Sequence, residues 1–151
     1  VKWAAENRFE NVSKILLDIV DTPISPELLP ANEKGEIQQV TEDLVGPYEL
    51  HDFFIYNFMR NGYTPEKIFF LAQKAFAPVI SSEVEKSTYD DETIRKWLKT
   101  FMRRFFSQQF KRAAMPDGPQ VTCCSLSPQN GWVMTSDTCS NVWTANCEEI
   151  Q

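Results

Sequence analysis

The sequence contains only five glycines and one histidine among its 151 residues, and both shortages restrict the chemistry available to the chain. A turn that cradles phosphate groups with backbone N–H groups needs several glycines close together, and the five present are scattered. The single histidine, His51, has no serine, cysteine or carboxylate at a spacing typical of nucleophilic catalysis. We therefore predict a structural role for His51 and no phosphate-binding loop within these residues.

The cysteines lack the spacing of a metal site. They are Cys123, Cys124, Cys139 and Cys147. None forms a CxxC pair, and two adjacent cysteines are a poor start for a zinc site or a disulfide framework. No basic partner accompanies any of them, so no nucleophilic cysteine is assigned. We predict no metal site and reduced thiols, as in a cytoplasmic protein.

Long apolar runs are also missing. No run approaches the roughly 18–20 residues needed to span a bilayer, so we expect a soluble chain without membrane contact. The sequence begins at Val1 as if within a helix already under way, without the pattern of a signal peptide, so we expect a piece of a longer protein. With 42% hydrophobic residues, the chain can build a core.

Charge is distributed unevenly. Residues 1–92 hold 17 acidic and 8 basic residues, residues 93–112 hold 7 basic and no acidic ones, and the remainder holds 4 acidic and no basic ones. Two interpretations stay open: a solvated basic face paired with the acidic first part, or a site for an anion. A nucleic-acid-binding helix is disfavoured, because the pI is about 4.8 and the phenylalanines of this segment lie on its apolar side.

The basic segment has the most regular pattern in the chain and predicts a long amphipathic helix within residues 89–119. Its apolar residues recur at steps of three and four: Ile94, Trp97, Leu98, Phe101, Met102, Phe105, Phe106 and Phe110. Asp90 is the predicted N-cap, and Lys111 and Arg112 lie on the predicted last turn, where cations complement the helix dipole. Pro116 prevents continuation, so two cations are placed at a rigid corner.

The residues before this helix predict three further elements. The short apolar run 14–20, partly β-branched, predicts a buried strand. Residues 47–60 predict a helix that starts at a proline and ends at Asn-Gly, and Thr64-Pro65 begins another. Because the 47–60 helix is apolar nearly all round, we expect two surfaces to bury it, supplied by other parts of the parent protein or by another subunit. We therefore expect the chain to self-associate.

Two strings resemble a known family. GPYELHDFF (46–54) and RRFFSQQFKR (103–112), the latter followed by PDGP (116–119), are similar to the NAD+ synthases of the long, glutamine-hydrolysing type. The resemblance implies a mainly helical fragment with a short N-terminal strand, from the C-terminal part of an α/β, Rossmann-like synthetase domain of the adenine-nucleotide α-hydrolase type.

The resemblance also implies a division of the chain. Residues 1–30 would be the end of the sheet with a nucleotide loop, and residues 31–46 a mobile loop. Residues 47–112 would be the helical part, and residues 113–151 a C-terminal loop or tail.

The implied reaction is that of an ATP-dependent ligase. ATP, with Mg2+, adenylates the nicotinic acid carboxylate of deamido-NAD+, and ammonia derived from glutamine then forms the amide. The family's SGGxDS phosphate loop and glutaminase are absent from this sequence, so we expect the chain alone to be inactive and the parent to be a cytoplasmic homo-oligomer. An alternative stays open, a helical oligomerisation or interaction domain without catalysis.

Four residues are candidates for the site that the resemblance implies. Lys111 matches a contact to deamido-NAD+ and is the candidate catalytic cation, and Phe110 beside it could pack on a ring. Ser25 matches a hydroxyl on the ATP side, and Glu42 lies in a segment that resembles the Q-x-T/D-E motif beside the site. From the residues alone, Ser25 is equally a loop hydroxyl and Glu42 an acidic residue that precedes a helix.

The resemblance fails in one loop. The family pattern S-L-S-P-R-G-D-W-R-M-P-S-D is matched by SLSPQNGWVMTSD at 125–137. Gln129 and Val133 replace two arginines, Gly131 replaces an aspartate, and Gln120 replaces the lysine that usually follows DGP. Since the family uses that aspartate near the ammonia and the adenylated carboxylate, its loss puts native activity in question.

Overall fold

The structure is a computed structural model that describes residues 1–22, 41–78, 87–116, 118, 120, 122–135 and 137–150. Every regular element in these residues is helical, which confirms the mainly helical expectation. The helices are α1 Lys2–Asn7, α2 Ser13–Asp21, α3 Thr41–Val45, α4 Tyr48–Ile55, α5 Pro65–Ala75, α6 Asp91–Ser107, α7 Gln109–Ala113 and α8 Asn141–Glu149. A 3-10 turn, Glu10–Val12, precedes α2, and a π-helical turn, Tyr56–Arg60, continues α4. The chain forms two units, Val1–Leu44 and Val45–Gln151.

The predicted strand at 14–20 is wrong, because these residues form α2 in the first unit. The apolar residues of this segment include pairs spaced by three and four, such as Leu17 with Val20 and Leu16 with Val20, which is a helical repeat rather than the alternation of a strand. These side chains are half-buried, whereas Ile15 and Ile19 are more than half exposed, at 62% and 61%. A short apolar run does not by itself separate a buried strand from a helix.

The second unit is organised around α6, as the sequence predicts. This helix packs against α4, α5 and α8, and its buried residues meet theirs in one apolar cluster. The cluster consists of Leu50, Phe54, Phe58, Ile68, Phe69, Ala72, Phe76, Ile94, Leu98, Phe101, Met102, Phe105, Phe106 and Cys147. Edge-to-face ring pairs within it, such as Phe58 with Phe105 at 5.2 Å between centroids, add about 0.5–1.5 kcal/mol each to area burial.

The start of α6 is the one that the sequence predicts, and its end is not. Asp90 Oδ1 accepts a hydrogen bond from the Thr93 N–H at 2.7 Å, and hydrogen bonds from the side chain and backbone of Thr93 lower the pKa of the Asp90 carboxyl. The helix ends at Ser107, and Gln108, with φ −103° and ψ 15°, separates it from α7. Lys111 and Arg112 therefore lie on a second short helix.

The predicted 47–60 helix is confirmed as α4 with its π-helical continuation. Leu50 and Phe54 are fully buried, and Phe58 is 7% exposed, all in the core of the second unit. On another side, Ile55 and Tyr56 line a cavity together with Leu126 of the 122–135 segment. Two surfaces of the same unit thus flank this helix, and self-association stays a prediction.

His51 has the structural role that the sequence predicts. Its Nε2 atom lies 2.5 Å from the Val45 carbonyl oxygen, with which it hydrogen-bonds. Its ring packs edge-on against Phe101 at 5.8 Å between centroids. The hydrogen bond ties Val45 to α4, and the ring contact ties α4 to α6, all within the second unit.

The end of the chain is not the irregular tail that the sequence predicts, because residues 141–149 form α8. Trp143 stacks on Phe106 with ring centroids 4.3 Å apart, and Cys147 is 2% exposed within the core. Lys99 of α6 forms an ion pair with Glu148 at 2.6 Å, and the hydrogen bond and charge of Lys99 lower the pKa of Glu148. Tertiary contacts therefore hold a helix that has no clear periodicity of its own.

Cys147 is expected to resist alkylation while the chain is folded. Burial raises the pKa of its thiol from 9.0 to about 11, so near pH 8 the folded thiol is almost entirely protonated. Iodoacetamide followed by peptide mass mapping should label the exposed Cys123 and Cys139 first, and Cys147 only after denaturation. Because the folded thiol has the higher pKa, it holds its proton more tightly than the unfolded one. The contribution of Cys147 to the free energy of unfolding is therefore fully present below pH 9 and is lost as the pH rises through 11. Equal labelling of all sites in the folded chain would contradict the burial.

Within the described ranges, no helix is long and apolar enough to cross a membrane.

Candidate functional site

The segment 108–112, QQFKR, divides into side chains that hold the structure and side chains that face solvent. Gln109 is buried, at 7% exposed, and its Nε2 group donates a hydrogen bond to the Met134 carbonyl at 3.3 Å. Phe110, in contrast, is 60% exposed, although the sequence predicts it on the apolar face. In α7, Gln109 thus occupies the core-facing place that the sequence assigns to Phe110.

Arg112 is fixed rather than available to a ligand. Its Nη2 group donates to the Phe105 carbonyl at 2.5 Å and contacts the Met134 sulfur at 3.4 Å, and its guanidinium lies 4.3 Å from the centre of the Phe105 ring. Burial lowers the pKa of the guanidinium from its ordinary value. Arg112 thus caps a carbonyl at the end of α6 and fastens the following loop.

Lys111 is the exposed cation of this corner. Its backbone N–H donates to the Gln108 carbonyl at 3.1 Å, which holds the turn of α7, while its side chain is exposed and has no hydrogen bond or ion pair among the described residues. Phe110, beside it, is exposed too. The corner therefore presents one free ammonium group and one aromatic ring on neighbouring positions.

The loop at 125–134 is held by its own backbone and packs on the core. The Trp132 N–H donates to the Ser125 carbonyl at 3.0 Å, and the Gly131 N–H donates to the Ser127 carbonyl at 3.0 Å. The Trp132 ring lies 5.9 Å from Phe58, and its Nε1 group contacts the Met134 sulfur at 3.2 Å. Met134 therefore receives contacts from both Trp132 and Arg112, which joins the loop to α7.

Gly131 occupies a position in this loop that has no room for a side chain. A Cβ added to it would overlap the Ser125 carbonyl, whose carbon would be 2.7 Å away. An aspartate, which the family pattern has at this position, does not fit the backbone that the loop adopts here. An aspartate at 131 would therefore require this loop to adopt another conformation.

A cavity of about 220 Å³ lies beside this loop. Its lining residues are Met59, Arg60, Gln120, Cys123, Cys124, Ser125, Asn130, Gly131 and Trp132. Two of them, Gln120 and Gly131, are positions at which this chain departs from the family pattern. Arg60, from the end of the π-helical turn, supplies the charged side chain of the lining.

The basic residues of 93–112 do not form one uniform patch. Arg95 lies over the Phe69 ring at 5.2 Å and Lys96 over the Trp97 ring at 4.5 Å. Lys99 pairs with Glu148 of α8, so the ion pair seen here involves the end of the chain rather than its acidic first part. Lys111 and Arg103 are left as exposed cations without a described partner.

The structure describes three of the four predicted site residues and brings two of them together. Phe110 and Lys111 are neighbours on α7, and Glu42 is an exposed residue in the first turn of α3, in the first unit. The predicted loop 31–46 thus contains a helical turn at its end, while residues 31–40 lie outside the described residues. Ser25 also lies outside the described residues.

Sequence reasoning missed the role of Gln109 and Arg112 in fastening the loop. A signal was present for Gln109, since it follows Phe105 by four residues and Phe106 by three, on the stripe that faces the core. A polar residue on such a stripe needs a hydrogen-bond partner when buried. No comparable signal identifies Met134 as that partner.

Comparison with known proteins identifies relatives of the chain. No protein-family model matches it. Among curated proteins it is 37% identical, over 98% of its length, to the glutamine-dependent NAD(+) synthetase of Mycobacterium leprae. It is 39% identical, over 95% of its length, to the proteins of the same name in Mycobacterium bovis and Mycobacterium tuberculosis.

These matches confirm the resemblance found in the sequence. The names of these relatives identify the chain as a homologue of an enzyme of NAD metabolism. More particularly, it is homologous to one segment of the glutamine-dependent NAD(+) synthetases, and it spans 22–23% of the length of these relatives.

Proposed function

We propose that the chain is part of an ATP-dependent ligase that converts deamido-NAD+ to NAD+ with nitrogen from glutamine or ammonia. The observation that carries this proposal is the identity of 37–39%, extending over 95–98% of the chain, to proteins named glutamine-dependent NAD(+) synthetase. A likeness that extends over almost the whole chain includes the helices, the α7 corner and the loop that follows, rather than one short motif.

The geometry of α7 supports a role for Lys111 and Phe110 in binding deamido-NAD+. An ammonium group at the end of a short helix that has no partner among the described residues can bind a phosphate or carboxylate by a charge-assisted hydrogen bond. An exposed ring beside it can pack against a planar group of the same ligand. Gln109 and Arg112 act indirectly, because their bonds to Met134 and Phe105 fix the corner that carries Lys111.

The remaining assignments follow from the same proposal. ATP activates the nicotinic acid carboxylate by adenylation, pyrophosphate leaves, and ammonia displaces AMP to form the amide. Ser25 is assigned to the ATP side, and Glu42 to the substrate- or nucleotide-binding residues beside the site. Mg2+ is assigned to the ATP substrate rather than to a site on this chain. The parent is proposed to be a cytoplasmic homo-oligomer whose synthetase domain is Rossmann-like.

The alternative of an oligomerisation module without catalysis has less support. It was suggested by the apolar character of α4. However, the apolar residues Leu50, Phe54 and Phe58 of this helix and its continuation are already buried within the second unit. The exposed residue Tyr56, at 48%, does not by itself define an interface.

The experiment that tests the function uses a full-length protein that contains this segment. With ATP, Mg2+, deamido-NAD+ and either glutamine or ammonium, we expect equal amounts of NAD+, AMP and pyrophosphate, quantified by liquid chromatography. A full-length protein that binds ATP yet forms none of these products would contradict the proposal. Omission of each substrate in turn is the control.

The 151-residue chain alone is expected to form no NAD+ under the same conditions. It contains no glycine-rich phosphate loop in its sequence, and adenylation requires the phosphates of ATP to be held in line with the carboxylate. The measurement is AMP and NAD+ relative to a sample without protein. Production of both above that background would show that the chain holds ATP by residues that the family pattern does not identify.

A further inference from the structure

We propose that Cys123 and Cys124 form a vicinal dithiol site that captures trivalent arsenicals, a class of thiophilic compound that makes two bonds to sulfur. The two cysteines are adjacent in sequence and line the same cavity. Cys123 is exposed and Cys124 half-buried, so a reagent can reach the pair from solvent. The proposal is independent of the proposed function, since it needs neither ATP nor deamido-NAD+.

The backbone around the pair is held in a defined turn. The Thr122 hydroxyl donates to the Cys124 carbonyl at 2.9 Å, and it accepts a hydrogen bond from the Cys124 N–H at 3.2 Å. One side chain thus satisfies both backbone groups of Cys124. A turn fixed in this way holds the backbone of the pair where both cysteines line one cavity, and preorganisation of this kind reduces the entropy lost on binding.

The spacing of the pair favours a bridging atom over a direct disulfide. Adjacent Cα atoms across a trans peptide are about 3.8 Å apart, below the roughly 4.4–6.8 Å range of ordinary disulfides. A direct S–S bond would therefore require the backbone to move. An arsenic atom between the two sulfurs completes a larger ring and requires no S–S bond.

The cavity beside the pair suits an aryl arsenical. Met59 and Trp132 line the same space of about 220 Å³ and can contact an aromatic substituent. Burial raises the pKa of the Cys124 thiol, while the nearby charge of Arg60 acts in the opposite direction and favours its thiolate. The site therefore combines two sulfur ligands with an apolar wall.

The reaction balances without an oxidant. Phenylarsine oxide gives up its oxygen, the two S–H bonds break, and two As–S bonds form. The two protons and the oxygen leave as one molecule of water. Arsenic stays in the trivalent state throughout, so no electrons are transferred.

The other cysteines provide matched controls. Cys139 is exposed but has no cysteine beside it, and Cys147 is buried in the core. A compound that needs two sulfurs should ignore both. Loss of either member of the pair should weaken retention by roughly a hundredfold or more, because the second bond is made intramolecularly.

The test is intact-protein mass spectrometry of the folded chain after treatment with phenylarsine oxide and then excess glutathione. The wild-type chain and Cys139→Ser should retain one phenylarsenic group, which 2,3-dimercaptopropanol removes. Cys123→Ser and Cys124→Ser should lose it to glutathione. Equal loss from all four chains, or loss in Cys139→Ser alone, would overturn the proposal. Equal retention by the chain in urea would show that the folded turn contributes nothing to the site.

Discussion

Replacing Gly46 with alanine is expected to destabilise the second unit by about 2–5 kcal/mol, from a backbone term of about 1–2 and an overpacking term of about 1–3. Gly46 has a φ of +92°, which an L side chain rarely adopts, and it lies directly against Trp97 of α6. A Cβ at this position would overlap the indole, whose Cε2 atom would be 2.7 Å away. Urea unfolding followed by circular dichroism measures the loss as a lower midpoint.

Gly62 provides the matched control. Its φ of +65° is also positive, yet no atom lies within 4 Å of a Cβ added there. Gly62→Ala should therefore cost only the backbone term of about 1–2 kcal/mol. In a Trp97→Ala background, the penalty for Gly46→Ala should fall to the same value, because the indole that it meets is gone. If the two glycines cost equal amounts in the wild-type background, Gly46 does not pack against Trp97.

The elements that sequence reasoning located are those with signals inside the element. Asp90 and Thr64 cap α6 and α5, and the Thr64 hydroxyl accepts from the Lys67 N–H at 3.4 Å. Each cap precedes an apolar stripe with the helical repeat, so start and type are both encoded locally. The helical repeat was also present in α2, but its β-branched residues led to the prediction of a strand.

The elements that sequence reasoning missed depend on contacts from distant residues. α8 has little pattern of its own, and it is placed by Trp143 on Phe106 and by Cys147 in the core. The break at Gln108 is likewise invisible in the periodicity, because apolar residues continue past it to Phe110. Such features are decided by what the rest of the chain offers as a packing surface.

The candidate site was predictable only in part, because some of its features are encoded locally and others depend on distant residues. The motif around Lys111 identified the corner, and the structure shows its ammonium group exposed there. The motif could not show that Gln109 and Arg112 act as fasteners, because their partner Met134 is more than twenty residues away in sequence. It also could not show that Gly131 has become part of a tight loop.

The altered loop determines how any test of Lys111 must be designed. Aspartate at 131 alone would overlap the Ser125 carbonyl, so Gly131→Asp is expected to disturb the loop rather than restore a site. The family pattern has glycine at the position of Asn130, where it gives the backbone access to other conformations. The restored protein should therefore carry Asn130→Gly together with Gly131→Asp.

Lys111→Ala, in a full-length protein that is active or has been restored in this way, should lower kcat/KM for deamido-NAD+ roughly tenfold to more than a hundredfold. A charge-assisted contact to a phosphate or carboxylate within a desolvated site contributes about 1.5–3 kcal/mol. Lys111 is exposed in this single chain, so an effect of that size requires the ligand and the rest of the protein to cover it.

Arg103→Ala is the control for the loss of one positive charge. Arg103 is an exposed cation on α6 without a described partner, and such a group usually contributes about 0–1 kcal/mol through screened interactions. Lys99 is less suitable, because its removal also breaks the ion pair that ties α8 to α6. Unfolding curves for both variants should match the parent, which separates catalysis from stability. If Lys111→Ala and Arg103→Ala lowered kcat/KM equally, Lys111 would be an ordinary surface cation and α7 would not contact deamido-NAD+.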